Sequence, residues 1–475
     1  MIRCFVSTPI QTIRQVTPTL VAILIYLVAQ VALGAWVSRR IGTEADYLVA
    51  GRRLGYGLTT FSMFATWFGA ETVISGAGRA YERGFSLNSP EPFGYGLCLI
   101  LLGGIFAVPL WKRKLTTLAD LFRQRYSVRV ERLAAIILIP ASIFWAAAQV
   151  RAFGNVVSTA SPGLSLDAAL AAAAGFTIVY TMFGGLLADA MTDLVQGVLL
   201  IGGLVVIAVA VFFAVGGLDG VQLAITNAQQ TRAAVTDDAN WLDMLEAWSI
   251  PIVGSVVTTE LVGRIVGTRS AAVARGSSLM AGAMYISVGM LPMFVGLVGV
   301  SLVPSIGDAE QLVPAIALQI LPTVFYALFA GGLVSAILST VDSTLLVASG
   351  LLSHNLLIPV LRITNERTKV RLARAGVFMF GAIAFVIAQG AESVFSLVQQ
   401  SSSIGSAGTL VTVCFALFTT FGGPRAAAAT LGVSVVVYLA GSFGGMQAPF
   451  LASLAAALAT YPLVALAEQR ERARA

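Results

Sequence analysis

Charge is scarce in this chain: Asp, Glu, Lys and Arg make up 11% of its 475 residues, against 57% hydrophobic ones. A water-soluble domain carries roughly 25% charged and about 45–50% apolar residues, so soluble enzymes are excluded and a polytopic membrane protein is expected. Histidine is nearly missing, His354 being the single one. His-based zinc clusters, HExxH proteases and Ser/His/Asp hydrolases therefore have no residues to work with. The three cysteines, Cys4, Cys98 and Cys414, lie far apart and form neither a CxxC pair nor a disulfide framework. No GxxxxGK[ST] phosphate loop occurs, so ATP-driven pumping is not expected. The chain is read as a non-enzyme, with no soluble output domain after its last span.

Long apolar runs and 47 glycines fill the space that charge leaves. Small residues let membrane helices approach closely, so an all-α bundle is expected rather than a barrel. At roughly 17–25 apolar residues per crossing, thirteen spans are expected. They fall near 19–37, 57–80, 93–111, 133–157, 166–187, 194–216, 247–266, 277–303, 323–353, 373–390, 394–420, 426–443 and 447–467. Residues 19–37 run straight into Ser38-Arg39-Arg40 without a cleavage signal, which makes them a first helix rather than a secretory leader. Residues 217–246 form the longest outer loop, with a small surface helix expected at Asp238 to Trp241.

Basic residues crowd alternate connections. Arg39, Arg40, Arg52 and Arg53 share a side with the Lys112–Arg132 group, with Arg264, Arg269 and Arg275, and with the Arg362–Arg374 group, Arg425 and the tail; together they make 23 of the 29 Lys and Arg residues. Glu91, Asp219, Asp237, Asp238, Asp308 and Glu310 lie opposite. Positive loops face the cytoplasm, so the N-terminal segment 1–18 is expected outside and the tail 468–475 inside a cell (inner) membrane. The net charge of +6 is then a topology signal that faces an anionic leaflet. No nucleic acid and no obligatory protein partner is implied.

Ionisable groups within a membrane usually line a path or cavity. Glu71, Asp189, Asp193, Glu260 and Asp342 are the candidates; snorkelling at a loop edge is the competing account, strongest for Asp189. Thr59 to Thr72 is polar and β-branched at mid-span, which predicts either an unwound stretch whose carbonyls coordinate a cation or a straight helix packed through small residues. In the ninth span Ser335, Ser339 and Ser343 share one helix face, flanked by Thr340 and Asp342. Isolated hydroxyls bond back to a carbonyl one turn earlier. Five polar side chains in nine residues exceed that explanation and suit a hard monovalent cation.

One run is more specific. Tyr180-Thr181-Met182-Phe183-Gly184-Gly185-Leu186-Leu187-Ala188, followed by Thr192-Asp193-Leu194-Val195-Gln196, strongly resembles the signature of the sodium/solute symporter family. Gly51-Arg52-Arg53-Leu54-Gly55, Leu118-Ala119-Asp120-Leu121-Phe122 with Arg125-Tyr126, and Ser339-Thr340 agree in order, and the resemblance runs from Tyr47 to the eleventh span. It implies a leucine-transporter-type fold of two inverted five-helix repeats, residues 57–216 and 247–420, each opening with a broken helix, plus two C-terminal helices at 426–467. It also implies Na+ as coupling ion, held by carbonyls of Ala65, Phe68 and Ala336 and hydroxyls of Ser339 and Thr340, with Asp193 and Asp342 along the ion path. Glu71, Thr72, Thr258 and Glu260 are expected at the solute. Trp67 stands where the proline branch carries aspartate, and Ala70-Glu71-Thr72 is similar to the sugar branch's Ala-Glu-Gln. The expected function is sodium-coupled import of a small organic solute such as a sugar, amino acid or carboxylate. Proton coupling through Glu71 or Glu260, and a solute sensor without net transport, are the alternatives.

Overall fold

The computed structural model describes residues 42–69, 71–84, 89–160, 164–232 and 240–474, with isolated positions between 28 and 36. The expected first helix at 19–37 and the segment 1–18 therefore lie outside the described residues. Helices α1 (Glu44–Val49), α2 (Tyr56–Trp67), α3 (Ala77–Arg83), α4 (Phe93–Lys112), α5 (Ala119–Arg125) and α6 (Val128–Ala160) form the first part. Then come α7 (Leu166–Ala214), α8 (Gly217–Arg232), α9 (Trp241–Ser249), α10 (Thr259–Gly267), α11 (Ala271–Gly299) and α12 (Leu312–Ile320). The last are α13 (Thr323–Gly350), α14 (Glu366–Gly390), α15 (Val394–Ser403), α16 (Ser406–Phe418), α17 (Pro424–Phe443) and α18 (Pro449–Arg474). Among the described residues ten helical stretches are long and apolar enough to cross a bilayer.

The sites of interruption decide the architecture. Helix α2 stops at Trp67, Phe68 adopts non-helical φ −86° and ψ 67°, and the chain resumes as a π-helical turn over Glu71–Gly76 before α3. The second interruption separates α9 and its π turn at Ile250–Gly254 from α10, with Thr258 extended at φ −64° and ψ 152°. A third device lies in the signature run: Gly185 at φ 68° and ψ 171° bends α7, in a region of backbone space that is essentially glycine's alone. The connection at 217–246 differs from expectation, because residues Gly217–Arg232 are helical; of the small helix expected at Asp238 to Trp241, residues 238 and 239 lie outside the described residues, and Trp241 opens α9 behind the cap Asn240. Asn240 accepts from the amides of Leu242 and Asp243, which draws the helix start to it.

Helices approach where side chains vanish. A Cβ on Gly282 of α11 would sit 2.8 Å from the carbonyl oxygen of Gly96 in α4, and one on Gly332 of α13 would sit 3.0 Å from that of Leu199 in α7. Such contacts are how bundles cohere where lipid removes the hydrophobic drive between helices.

The quoted motifs fasten the face that carries the basic connections. Arg52 donates to the carbonyls of Lys114 and Leu115, both at 2.9 Å, while Leu54 and Arg269 exchange backbone bonds with Gly267 and Leu54 respectively. Asp120 accepts from the amides of Thr116 and Thr117 and from Asn355, and His354 bridges it to Glu44. Burial alone would raise the Asp120 carboxyl, but His354 and the two amides outweigh it and hold it below its ordinary range. Its stabilisation is complete above the ordinary carboxylate pKa and is lost as pH falls through the lowered value.

Close packing yields a test. A Cβ on Gly296 would lie 2.2 Å from the Ala77 carbonyl oxygen, backbone that cannot rotate aside, so Gly296→Ala should cost about 1–3 kcal/mol. Thermal unfolding in detergent should show a clear fall for it and none for Gly432→Ala, where nothing lies within 4 Å.

Candidate functional site

At the end of α2 the last carbonyls have no partner in their own helix. Those of Ala65 and Thr66 instead receive the Thr340 hydroxyl, at 3.3 and 3.1 Å, which also lies 3.1 Å from the Ala336 carbonyl. The Trp67 carbonyl accepts from the Tyr285 hydroxyl. Thus Ala65, Ala336 and Thr340 converge at the break, with Phe68 marking its edge. Ser339, one residue away, donates to Asp193 rather than to these carbonyls.

Asp193 is fully buried and also accepts from Ser62 at 2.5 Å. Beside it lies Arg264 of α10, 1% exposed, whose Nη2 is 2.9 Å from Asp189 and 3.6 Å from Asp193. Its Nε donates to Ser62, its Nη1 to the Glu260 carbonyl, and Nη2 also to Ser343. One guanidinium therefore joins α2, α7, α10 and α13. Charge left unpaired at this depth would be costly, and Arg suits the place because its fork meets several acceptors at once. Sequence reasoning counted Arg264 with the basic connections; the structure corrects that. Its signal was spacing: Glu260 and Arg264 lie four apart, on one helix face.

A cavity of about 540 Å³ opens beside this network, walled by Trp67, Trp145, Thr258, Glu260, Ser402 and Thr409 among others. The two indoles meet edge to face with centroids 4.5 Å apart. Glu260 accepts from Ser142 at 2.5 Å and Thr259 at 3.1 Å. None of the lining residues is basic. The cavity is lined by Thr66 and Trp67 at the α2 break, by Leu138, Ala141 and Trp145 of α6, by the start of α10 and by residues between Ser401 and Thr409 around the α15–α16 junction. On the other side the way is shut: Trp67 stacks on Tyr95, Arg79 pairs with Glu91 and lies 4.0 Å over the Phe395 ring. Glu91, read as an outer-loop acid, is thus buried.

The four residues expected at the solute divide. Thr258 and Glu260 line the large cavity; Glu71 lines a separate one of about 350 Å³ with Arg79, Glu91 and Tyr95. Thr72 is hydrogen-bonded to Tyr285. Asp342 is turned away from Thr340, accepting from Thr181 at 2.5 Å. Of the serine stripe, the Ser343 hydroxyl lies 2.8 Å from the Ser339 carbonyl and 2.9 Å from Asp189, so its one proton is shared between back-bonding and the carboxylate. Trp145 and Tyr285 were not singled out, and Trp67 only as a departure from the proline branch, since aromatics in an apolar run read as packing until the cavity shared by Trp67 and Trp145 and the Tyr285 bond to the Trp67 carbonyl are seen.

Ten helical stretches apolar enough to cross a membrane among the described residues, two interrupted helices and a largely apolar cavity with a few polar groups beside them fit a multi-pass membrane transporter of small solutes. The chain belongs to the sodium:solute symporter family, whose sequence model matches residues 47–448. Sodium-coupled solute import is the function this family membership carries. It is 26% identical over 409 residues to the high affinity choline transporter 1 of Homo sapiens, covering 81% of this chain and 70% of that one. It is 27% identical over 347 residues to the sodium/pantothenate symporter of Haemophilus influenzae, covering 70% and 71%. These relatives are transporters. Among solved structures, a Na+-coupled sialic acid symporter in a substrate-bound outward-open state superposes with TM-score 0.81 at 18% identity, covering 94% of this chain and 97% of that one, which shows the fold.

Arg264 offers a direct check. Arg264→Leu strands buried carboxylates without their counter-charge, a loss of about 3–5 kcal/mol for a broken buried pair. Thermal stability should drop sharply, Arg264→Gln should drop too, and adding Asp189→Asn to Arg264→Gln should recover part of the loss.

Proposed function

We propose that this symporter imports a small organic cation of the choline type by alternating access. One observation carries the choice: two indoles, Trp67 and Trp145, share a cavity wall with the Glu260 carboxylate and with no basic residue. Aromatic faces attract quaternary ammonium groups, by roughly 2 kcal/mol or more when desolvated. The relatives named for choline agree with this, and the relative named for pantothenate, a carboxylate, would need a counter-charge absent from this wall. Solute contacts are assigned to Trp67, Trp145, Thr258 and Glu260, with Glu71 in the neighbouring chamber and Thr72 supporting Tyr285.

Sodium is assigned to the break, with Ala65, Phe68 and Ala336 giving carbonyls and Ser339 and Thr340 hydroxyls. The convergence of Thr340 on the Ala65 and Ala336 carbonyls supports this. Asp193 tunes the site through Ser339, and Asp342 stands farther along the ion path. The reading extends to two inverted five-helix repeats, residues 57–216 and 247–420, within thirteen spans. The N-terminus lies outside and the tail in the cytoplasm of an inner membrane, and the chain acts as a carrier rather than an enzyme, without an obligatory protein partner. The closure of Trp67 on Tyr95 and of Arg79 on Glu91 supports an inward-directed arrangement.

In proteoliposomes with an inward sodium gradient, radiolabelled choline should accumulate and excess pantothenate should not compete. Trp145→Ala should weaken choline affinity at least tenfold; saturable pantothenate uptake with no choline uptake would overturn the reading. Separately, Ser339→Ala with Thr340→Ala should abolish sodium stimulation, because about two of five oxygens are lost and solute affinity falls with sodium affinity by linkage. An unaltered sodium curve would refute the site.

A further inference from the structure

Helices α7 and α13 pack in a regular register. Asp189 faces Ser343 at 2.9 Å, and Asp193 faces Ser339. Farther along, a Cβ on Gly332 would lie 3.2 Å from the Leu200 Cα, and one on Gly203 would lie 3.1 Å from the Phe329 Cα. From pair to pair the contacts step by four, seven and three residues, forward on α7 and backward on α13. Alternating steps of four and three are the spacing of a packed helix seam, so the layer inside the seven-residue step pairs Gln196 with Ala336. Gln196 is fully buried, and among the described residues neither its Oε1 nor its Nε2 has a hydrogen-bond partner. On the α2 side its neighbour Gly197 is so close that a Cβ there would meet the Phe61 ring at 2.7 Å. One turn back, Ser62 of α2 and Ser339 of α13 meet the Asp193 carboxylate. One turn on from those serines stand Ala65, Thr66 and Ala336, the carbonyls that converge on Thr340. An amide buried with nothing to bond is destabilising, and folded chains rarely keep one idle.

We propose that Gln196 is a further residue of the sodium site at the α2 break, its Oε1 giving the ion an oxygen from α7. The oxygens assigned there otherwise come from α2, its edge and α13, although α7 is the third helix around the break. An amide oxygen suits a hard cation and adds no charge beside Asp193. The Nε2 end fits the same place. The carbonyls of Ala65, Thr66 and Ala336 share the single Thr340 hydroxyl, so acceptors outnumber donors there. An arriving ion draws the side chain into this cluster and satisfies both ends of the amide at once. Sodium affinity is thereby tied to α7, whose Asp189 and Asp193 pair with Arg264.

The proposal rests on the sodium assignment at the break but not on which solute is carried, so sodium alone tests it on the purified full chain. Gln196→Met keeps the length of the side chain and removes both polar atoms. Without sodium it should melt a few degrees above wild type, because an idle buried amide has given way to an apolar chain. Its half-saturating 22Na+ concentration should rise several-fold, and the gain in melting temperature that sodium gives wild type should shrink with it. Gln196→Glu, which keeps an oxygen at the same reach, should retain sodium binding. A merely structural amide predicts the reverse. Gln196→Met and Gln196→Leu melting below wild type or failing to fold, or either one binding 22Na+ as wild type does, would overturn the proposal. Sodium binding weakened in Gln196→Met but untouched in Ser339→Ala with Thr340→Ala would fault the hydroxyl assignment and leave Gln196 standing. Loss in the hydroxyl variant alone would fault Gln196, and a wild type that binds no 22Na+ would overturn both.

Discussion

In hydrocarbon every backbone amide and carbonyl must find a partner within the protein, since water is not there to supply one. Most of the bundle obeys by being continuous helix. The two interruptions, at Phe68 and at Ser255 to Thr258, are where the rule is strained, and chemistry gathers at both. Freed carbonyls of Ala65, Thr66 and Trp67 are met by hydroxyls of Thr340 and Tyr285 from other helices. A hydroxyl that satisfies a carbonyl can also turn its oxygen to an ion. The same structural debt thus provides the means of binding.

Arg264 performs the corresponding task for charge. Its five donors span four helices that meet at the interruptions, and it compensates acids that would otherwise stand alone at low dielectric. Because those acids in turn hold Ser62, Ser339 and Ser343, the positions of these hydroxyls depend on the guanidinium. Arg264 belongs to α10, the segment after the second interruption, so the network and the cavity wall share one helix.

The remaining motifs work at a distance. Arg52, Asp120 and His354 bind short connections into a plate on the basic face, while Arg79, Glu91 and Phe395 close the other. Glu310 reinforces that closure by accepting from the amides of Val394 and Phe395 at the start of α15 and from Ser75; burial pushes its carboxyl above the ordinary range.

Much of this was legible in the chain. Low charge and long apolar runs determined a membrane bundle, because continuous apolar runs of span length satisfy their backbone within one helix, whereas barrel strands alternate. The Tyr180–Gln196 run pointed to the family, and the resemblance drew attention to Ala65, Phe68, Ala336, Ser339, Thr340 and Asp193, while mid-span acids marked Glu71, Glu260 and Asp342. Helix periodicity, however, assigns faces only within one helix. That Glu71 and Glu260 sit in different chambers, that Asp342 faces Thr181, that Trp67 and Trp145 share a wall and that Arg264 is buried are distances between helices far apart in sequence. Only the tertiary packing decided them, since the cost of a buried charge is set by what other helices place within a few ångströms of it.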